Sequence, residues 1–138
     1  MDPREALARL RAAAEDGRLE PLCRRHGIRL LGAFGSATDP AWPGPRDLDI
    51  AVEFERGANG DIIALMNDLM ALTRFDRIDL LDLGRASANP VARTSALVGG
   101  VPLYESESGT YARAQIHAIM QRMDTAWLRR LELELLAS

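Results

Sequence analysis

Residues 32 to 54 read GAFGSATDPAWPGPRDLDIAVEF, and the last part of that stretch, from Asp47 on, has an unusually clear register. Alternation puts Leu48, Ile50, Val52 and Phe54 on one face of a strand and Asp47, Asp49, Ala51 and Glu53 on the other. At roughly 3.3 Å of rise per residue the two aspartates stand about 7 Å apart, a spacing a divalent cation between them can bridge. An alternating polar face is by itself the ordinary solvated side of a half-buried strand. Aspartate, however, is depleted in strands, and two at i and i+2 incur that penalty twice with no packing gain.

Two further features surround the pair. Ile28 to Phe34 reads as a short apolar strand stopped by Gly35-Ser36, where glycine permits close backbone approach and the following amides can form an anion-binding turn. Downstream, Arg77 to Leu83 (RIDLLDL) reads as a third strand with both faces buried. It holds Asp79 and Asp82, which are three apart and point to opposite faces, so only one can join Asp47 and Asp49. Periodicity does not choose between them. A carboxylate buried without a partner is costly, and a metal is a natural partner for one.

The rest of the chain is read from its punctuation. Asp2-Pro3-Arg4-Glu5 combines an N-cap acid, proline at the first helical position and a glutamate three after the cap, announcing a helix to about Asp16. LEPLCRRH is a shorter helical piece ending at Gly27, and the segment after Ser36 starts a helical turn before the stiff DPAWPGP loop. Asn59 or Asp61 opens a helix to about Thr73, and Asn89-Pro90 opens another to about Val98. A short strand around Val101 to Tyr104 precedes one long helix, 108–136, with Ile116, Met120, Met123, Trp127 and Leu131 at spacings of three and four. One side of it is expected to bury something. Met66, Met70, Met120 and Met123 read as core, Trp127 as part of the buried stripe, Trp42 as packed over its loop, and His26 as a cap on helix-end carbonyls.

Composition excludes several classes. At 138 residues, 47% apolar and 27% charged, the chain is a single-domain length with the balance of a soluble globular protein. A net charge of -3 leaves no basic stripe for sequence-independent phosphate contacts, which argues against a nucleic-acid grip. Cys23 is the only cysteine, so no disulfide framework or cysteine zinc cluster exists, and the N-terminus has no apolar signal region; a cytoplasmic protein is expected.

Gly-Ser, ten intervening residues, Asp-x-Asp and a later strand aspartate together resemble the minimal nucleotidyltransferases of the DNA polymerase β-like superfamily, and among them the MNT proteins paired with HEPN toxins. The resemblance spans most of the chain, from the leading helices through the G-G-V-P-L-Y-E segment to the long closing helix. It implies an α/β (α+β) fold with a small mixed sheet and flanking helices, in one nucleotidyltransferase domain over 1–138. Helices are expected against one sheet face and the site on the other. It implies an antitoxin that transfers AMP from ATP to a tyrosine hydroxyl of its HEPN toxin. Gly35 and Ser36 would hold the triphosphate, Asp47 and Asp49 would ligate Mg²⁺, and Asp79, the first aspartate of the family's D-L-x-D-L strand, would ligate Mg²⁺ and help deprotonate the acceptor.

One departure stands out. Similar proteins commonly continue Gly-Ser with a small residue and Ala-Arg-Gly, whereas this chain has Ala37-Thr38-Asp39-Pro40. An expected phosphate-binding arginine is missing, with Arg46, Arg74 or Arg77 as candidate replacements. The departure keeps a second reading open, an antitoxin that neutralises by stoichiometric binding. A third is a small-molecule nucleotidyltransferase resembling the aminoglycoside-modifying enzymes, which usually bring a larger substrate domain.

Overall fold

The computed structural model describes residues 2–85 and 89–137, with 124–126 described in backbone only. Helix α1 (Pro3–Glu15) starts as its punctuation predicts, with the Asp2 side chain accepting from the Glu5 amide. Then follow α2 (Leu19–Arg25), β1 (Ile28–Phe34), a 3₁₀ turn at Ser36–Thr38, β2 (Leu48–Phe54), α3 (Ile62–Thr73), β3 (Ile78–Asp82), α4 (Pro90–Leu97), β4 (Val101–Glu105) and α5 (Thr110–Ala137). Asp61 rather than Asn59 caps α3, and Asn89 caps α4; each side-chain oxygen accepts an amide three residues on, as an N-cap should.

The four strands form one mixed sheet in the order β3-β2-β1-β4. β1 pairs antiparallel with both β2 and β4, and β2 pairs parallel with β3. The larger core lies under one face, where Leu48, Ile50 and Val52 meet Leu10 of α1, Leu19 and Cys23 of α2, and Leu65 and Leu69 of α3. Burial pushes the Cys23 thiol up to about 12, so it behaves as a small apolar residue.

The other face is not left bare. A second core of Leu30, Ala51, Leu83, Ala96, Leu97, Tyr111 and Ala118 packs α4 and α5 against it. Helices therefore flank both faces, correcting the expectation of helices on one face only. Gly32 makes this possible: a side chain there would collide with the Tyr111 ring and hydroxyl, so its absence lets the ring lie on the sheet. That burial pushes the Tyr111 hydroxyl up to about 12.

Further expectations are corrected. β3 is an edge strand, and Asp79 on it is exposed rather than buried; the apolar run that suggested burial has a strand neighbour on one side only among the described residues. In α5, Tyr111 and Ala118 are buried, but Ile116, Met120, Met123 and Trp127 are between 58 and 65% exposed. Leu131 is exposed too. Successive residues turn by about 100°, which sets this stripe opposite the packed face. The two methionines and Trp127 are thus outside the core of the chain, while Met70 packs against it. Trp42 is 54% exposed instead of covering its loop. His26 does close α2, its backbone amide donating to the Leu22 carbonyl at 3.3 Å, and its ring nitrogen Nε2 meets the Asp68 carboxylate at 2.6 Å, tying α2 to α3.

Candidate active site

Two strand ends and one turn bring the predicted residues together. Phe34, the last residue of β1, is paired with Asp49, and Asp49 is paired across the parallel ladder with Asp79. Paired residues of neighbouring strands share a face, so Asp49 and Asp79 project together, and Asp47, two residues before Asp49, projects with them. The register also decides between the two β3 acids. Asp82 is aligned with Val52, whose side chain is in the larger core, so Asp82 belongs to the opposite face. There it accepts from the Gly84 amide at 2.9 Å and pairs with Arg85 at 3.7 Å.

Electrostatics records the same grouping. The Asp49 carboxyl is held above its usual range, first by burial, then by the carboxylates of Asp79 and Asp47. Desolvation and like charge both oppose ionisation. Asp47 and Asp79 are exposed and Asp49 is half-buried. As they stand, no three His, Cys, Asp or Glu side chains among the described residues are close enough together to enclose a metal.

Gly35 is required where it is. Its φ of 81° and ψ of -160° belong to a region open essentially to glycine, and a side chain there would collide with the Asp49 carboxylate. Immediately after it, the Thr38 amide and hydroxyl both donate to the Gly35 carbonyl, at 3.1 and 2.7 Å, closing the turn that holds half-buried Ser36. The acid that departs from the expected pattern faces its own loop: Asp39 Oδ1 accepts from the Ala41 amide at 2.9 Å.

Among the described residues, none of the three candidate arginines lines the cavity beside the turn. Arg77 donates from Nε to the Arg46 carbonyl at 2.8 Å and stacks over Phe75, while Arg74 ends α3 in a left-handed conformation. The structure instead brings Arg4 of α1 to the loop, donating to the carbonyls of Asp39 and Trp42. Arg4 and Arg11 line a cavity of about 410 Å³ with Ala37, Thr38 and Pro40, on the α1 side of the turn. Sequence reasoning missed Arg4 because its contacts are 35 and 38 residues away, and no local pattern encodes such a pairing.

The fold is shared with solved toxin–antitoxin structures. No protein-family model matches the chain, and no curated protein matches it. A chain of a toxin–antitoxin crystal structure with AMP-PNP superimposes with a TM-score of 0.64 at 20% identity, covering 88% of this chain and 98% of that one. An MntA toxin–antitoxin mutant carrying two aspartate-to-glutamate replacements two positions apart gives 0.62 at 20% identity, covering 88% and 98%. A complex of a tri-AMPylated Shewanella oneidensis HEPN toxin with MNT antitoxin gives 0.59 at 21% identity, covering 88% and 95%. At these identities the likeness establishes the fold alone, a four-stranded mixed sheet with flanking helices shared with those toxin–antitoxin chains.

Proposed function

We propose that this chain is a Mg²⁺-dependent nucleotidyltransferase acting as an antitoxin, which transfers AMP from ATP to a tyrosine hydroxyl of a HEPN-family toxin. One observation carries the reading: Asp49 is aligned with Asp79, has its pKa raised by burial and then by Asp79 and Asp47, and sits against a Gly35 whose missing side chain leaves room for its carboxylate. A solved neighbour with AMP-PNP and another beside a tri-AMPylated HEPN toxin support the same chemistry on this fold. The whole chain, 1–138, acts as one unit in the cytoplasm.

The donor set suits magnesium. Three carboxylates offer hard oxygens, and the repulsion that adds to burial in raising the Asp49 pKa is what a cation between them relieves. Asp47, Asp49 and Asp79 would hold it, and when bound it would supply charge stabilisation at the transferring phosphate. Gly35 and Ser36 bind the triphosphate through the turn. Asp79, exposed at the sheet edge, takes the proton of the acceptor hydroxyl. The tyrosine oxygen then bonds the α-phosphorus in line as the bond to the pyrophosphate oxygen breaks, and pyrophosphate carries the electron pair away.

Docking of the toxin is assigned to α5. At about 1.5 Å per residue its 28 residues extend about 42 Å, and the exposed Ile116, Met120, Met123 and Trp127 offer an apolar stripe of the kind that marks a protein interface.

The test is intact-mass spectrometry of a HEPN-family toxin after incubation with this chain, Mg²⁺ and ATP, with Asp47→Asn/Asp49→Asn as control. AMP-sized additions made only by the unaltered chain are expected. A second reading, neutralisation by binding alone, is favoured by the absent arginine after Gly35-Ser36. An unmodified but tightly bound and silenced toxin would establish that reading and overturn the first.

A further inference from the structure

At the end of β1 and β2 remote from Gly35 and Asp49 lies a second cluster of charged groups, of opposite sign. A cavity of about 300 Å³ is lined by Arg29, Glu53, Arg93, Thr110, Arg113 and His117. Glu53 is four residues from Asp49 on the same strand face, about 13 Å at the rise of a strand, and the Ala51 layer covered by α4 and α5 lies between them.

The arginines are placed there by separate devices. Arg93 projects from α4 and is only 6% exposed, a burial that arginine rarely tolerates unpaired. Its Nη1 donates to the Leu83 carbonyl at 2.7 Å, while its Nε is buried with no hydrogen-bond partner among the described residues. A buried unsatisfied donor on a permanent cation calls for a ligand or ion. Arg29 stands in the β-bulge where the β1–β2 register shifts between Ile28 and Leu30, and bulges re-aim side chains near sites. Its Nε lies 3.8 Å from the Glu53 carboxylate, so it is loosely held. Arg113 folds back over the α5 entry, Nη2 lying 3.4 Å from the Thr110 hydroxyl. Gly109, with φ of 90°, leaves the space it occupies, since a Cβ there would come within 2.8 Å of Nη1.

Three guanidinium groups converge on one cavity with a single carboxylate, in a chain whose net charge is -3. That surplus balances a dianion better than a monocarboxylate, and guanidinium forks match phosphate oxygens in pairs. We infer that this cavity is a binding site for a phosphate-bearing anion, held by Arg29, Arg93 and Arg113 and separate from the aspartate site. The inference is independent of the proposed transferase reading, because no aspartate of that site takes part. The shared chemistry is the phosphoryl group, either as free pyrophosphate or as the tail of a nucleotide.

Calorimetric titration with pyrophosphate, and separately with ATP, both in excess EDTA and at fixed ionic strength, tests it without engaging a metal site. The unaltered chain and Asp47→Asn/Asp49→Asn should bind alike. Arg113→Gln and Arg29→Gln, whose side chains are exposed enough to leave the fold intact, should each weaken binding about tenfold. Within the binding that the arginine variants weaken, ATP held more tightly than pyrophosphate identifies a nucleotide site, and equal binding identifies a free-phosphate site; both uphold the inference. Absence of binding by the unaltered chain, binding undiminished in the folded arginine variants, or binding lost with the aspartates would each overturn it.

Discussion

The two faces of β2 share a backbone and divide the labour. Leu48, Ile50 and Val52 are fully buried in the larger core, while Asp49 and, just before the strand, Asp47 turn the other way, toward Asp79. Neighbouring residues therefore answer to different demands. Burial of the first face holds the sheet on α1, α2 and α3, and the second face keeps like charges together that the fold would be more stable without. A substitution at 49 and one at 50 are one residue apart and should fail in different assays.

On the acid face the largest effect is on chemistry. Asp47→Asn/Asp49→Asn should lower AMP transfer by about a thousandfold or more, roughly 4 kcal/mol of transition-state stabilisation, with no loss of thermal stability. Radiolabel transfer from α-labelled ATP measures the first and a melting curve the second. Transfer within tenfold of the unaltered chain would remove these carboxylates from the chemistry.

On the apolar face Ile50→Ala should cost about 2–5 kcal/mol of stability, because it opens a cavity in a core with no exposure at that position. Urea unfolding reads the loss. Transfer per folded molecule should stay near normal, so a fall in activity that exceeds the fall in folded fraction would mean that the two faces are coupled.

The faces of β2 were legible because a period of two needs no knowledge of the rest of the fold. The choice of Asp79 over Asp82 was legible only through the resemblance and not from periodicity, since it depends on which β2 residue each is aligned with, and alignment is a property of two strands. The α5 stripe shows a similar limit. Spacing identified Ile116, Met120, Met123 and Trp127 as one face, but periodicity says that a face is apolar and not what covers it, and in this chain the covered face is that of Tyr111 and Ala118. The edge position of β3 was hidden for the same reason: an apolar run cannot reveal that no further strand adjoins it among the described residues. Gly35 was visible as a site for close approach, yet its need for a glycine-only conformation came only with the turn itself.

Between the two faces stands that glycine. Gly35→Ala should cost about 1–3 kcal/mol from backbone conformation, and the collision with Asp49 adds to this. The effect should appear in both assays, a lower melting temperature and reduced transfer, because the residue shapes the turn and clears the carboxylate. A fall in stability alone would mean that Asp49 moves aside without consequence.

The smallest expected effect separates the two faces of β3 by sign. Asp79 is directly aligned with Asp49, and like charges opposite one another on a sheet cost about 0.2–1 kcal/mol, so Asp79→Asn should stabilise the metal-free protein by that order at neutral pH. Asp82 instead pairs with the exposed Arg85 and accepts the Gly84 amide, so Asp82→Asn should be neutral or destabilising by about 1 kcal/mol at most. The pH dependence distinguishes repulsion from any other cause of the gain. Asp49 has a folded-state pKa above its usual value, so its ionisation opposes folding once the pH exceeds that folded value. As the pH falls through it, Asp49 takes up a proton, the repulsion ends, and the advantage of Asp79→Asn should shrink toward zero. Melting curves of both variants in EDTA from neutral to acid pH measure this. A gain that persists when Asp49 is protonated would show that Asp79 is unfavourable for a reason other than its alignment with Asp49, and the electrostatic grouping of the three carboxylates would lose its support.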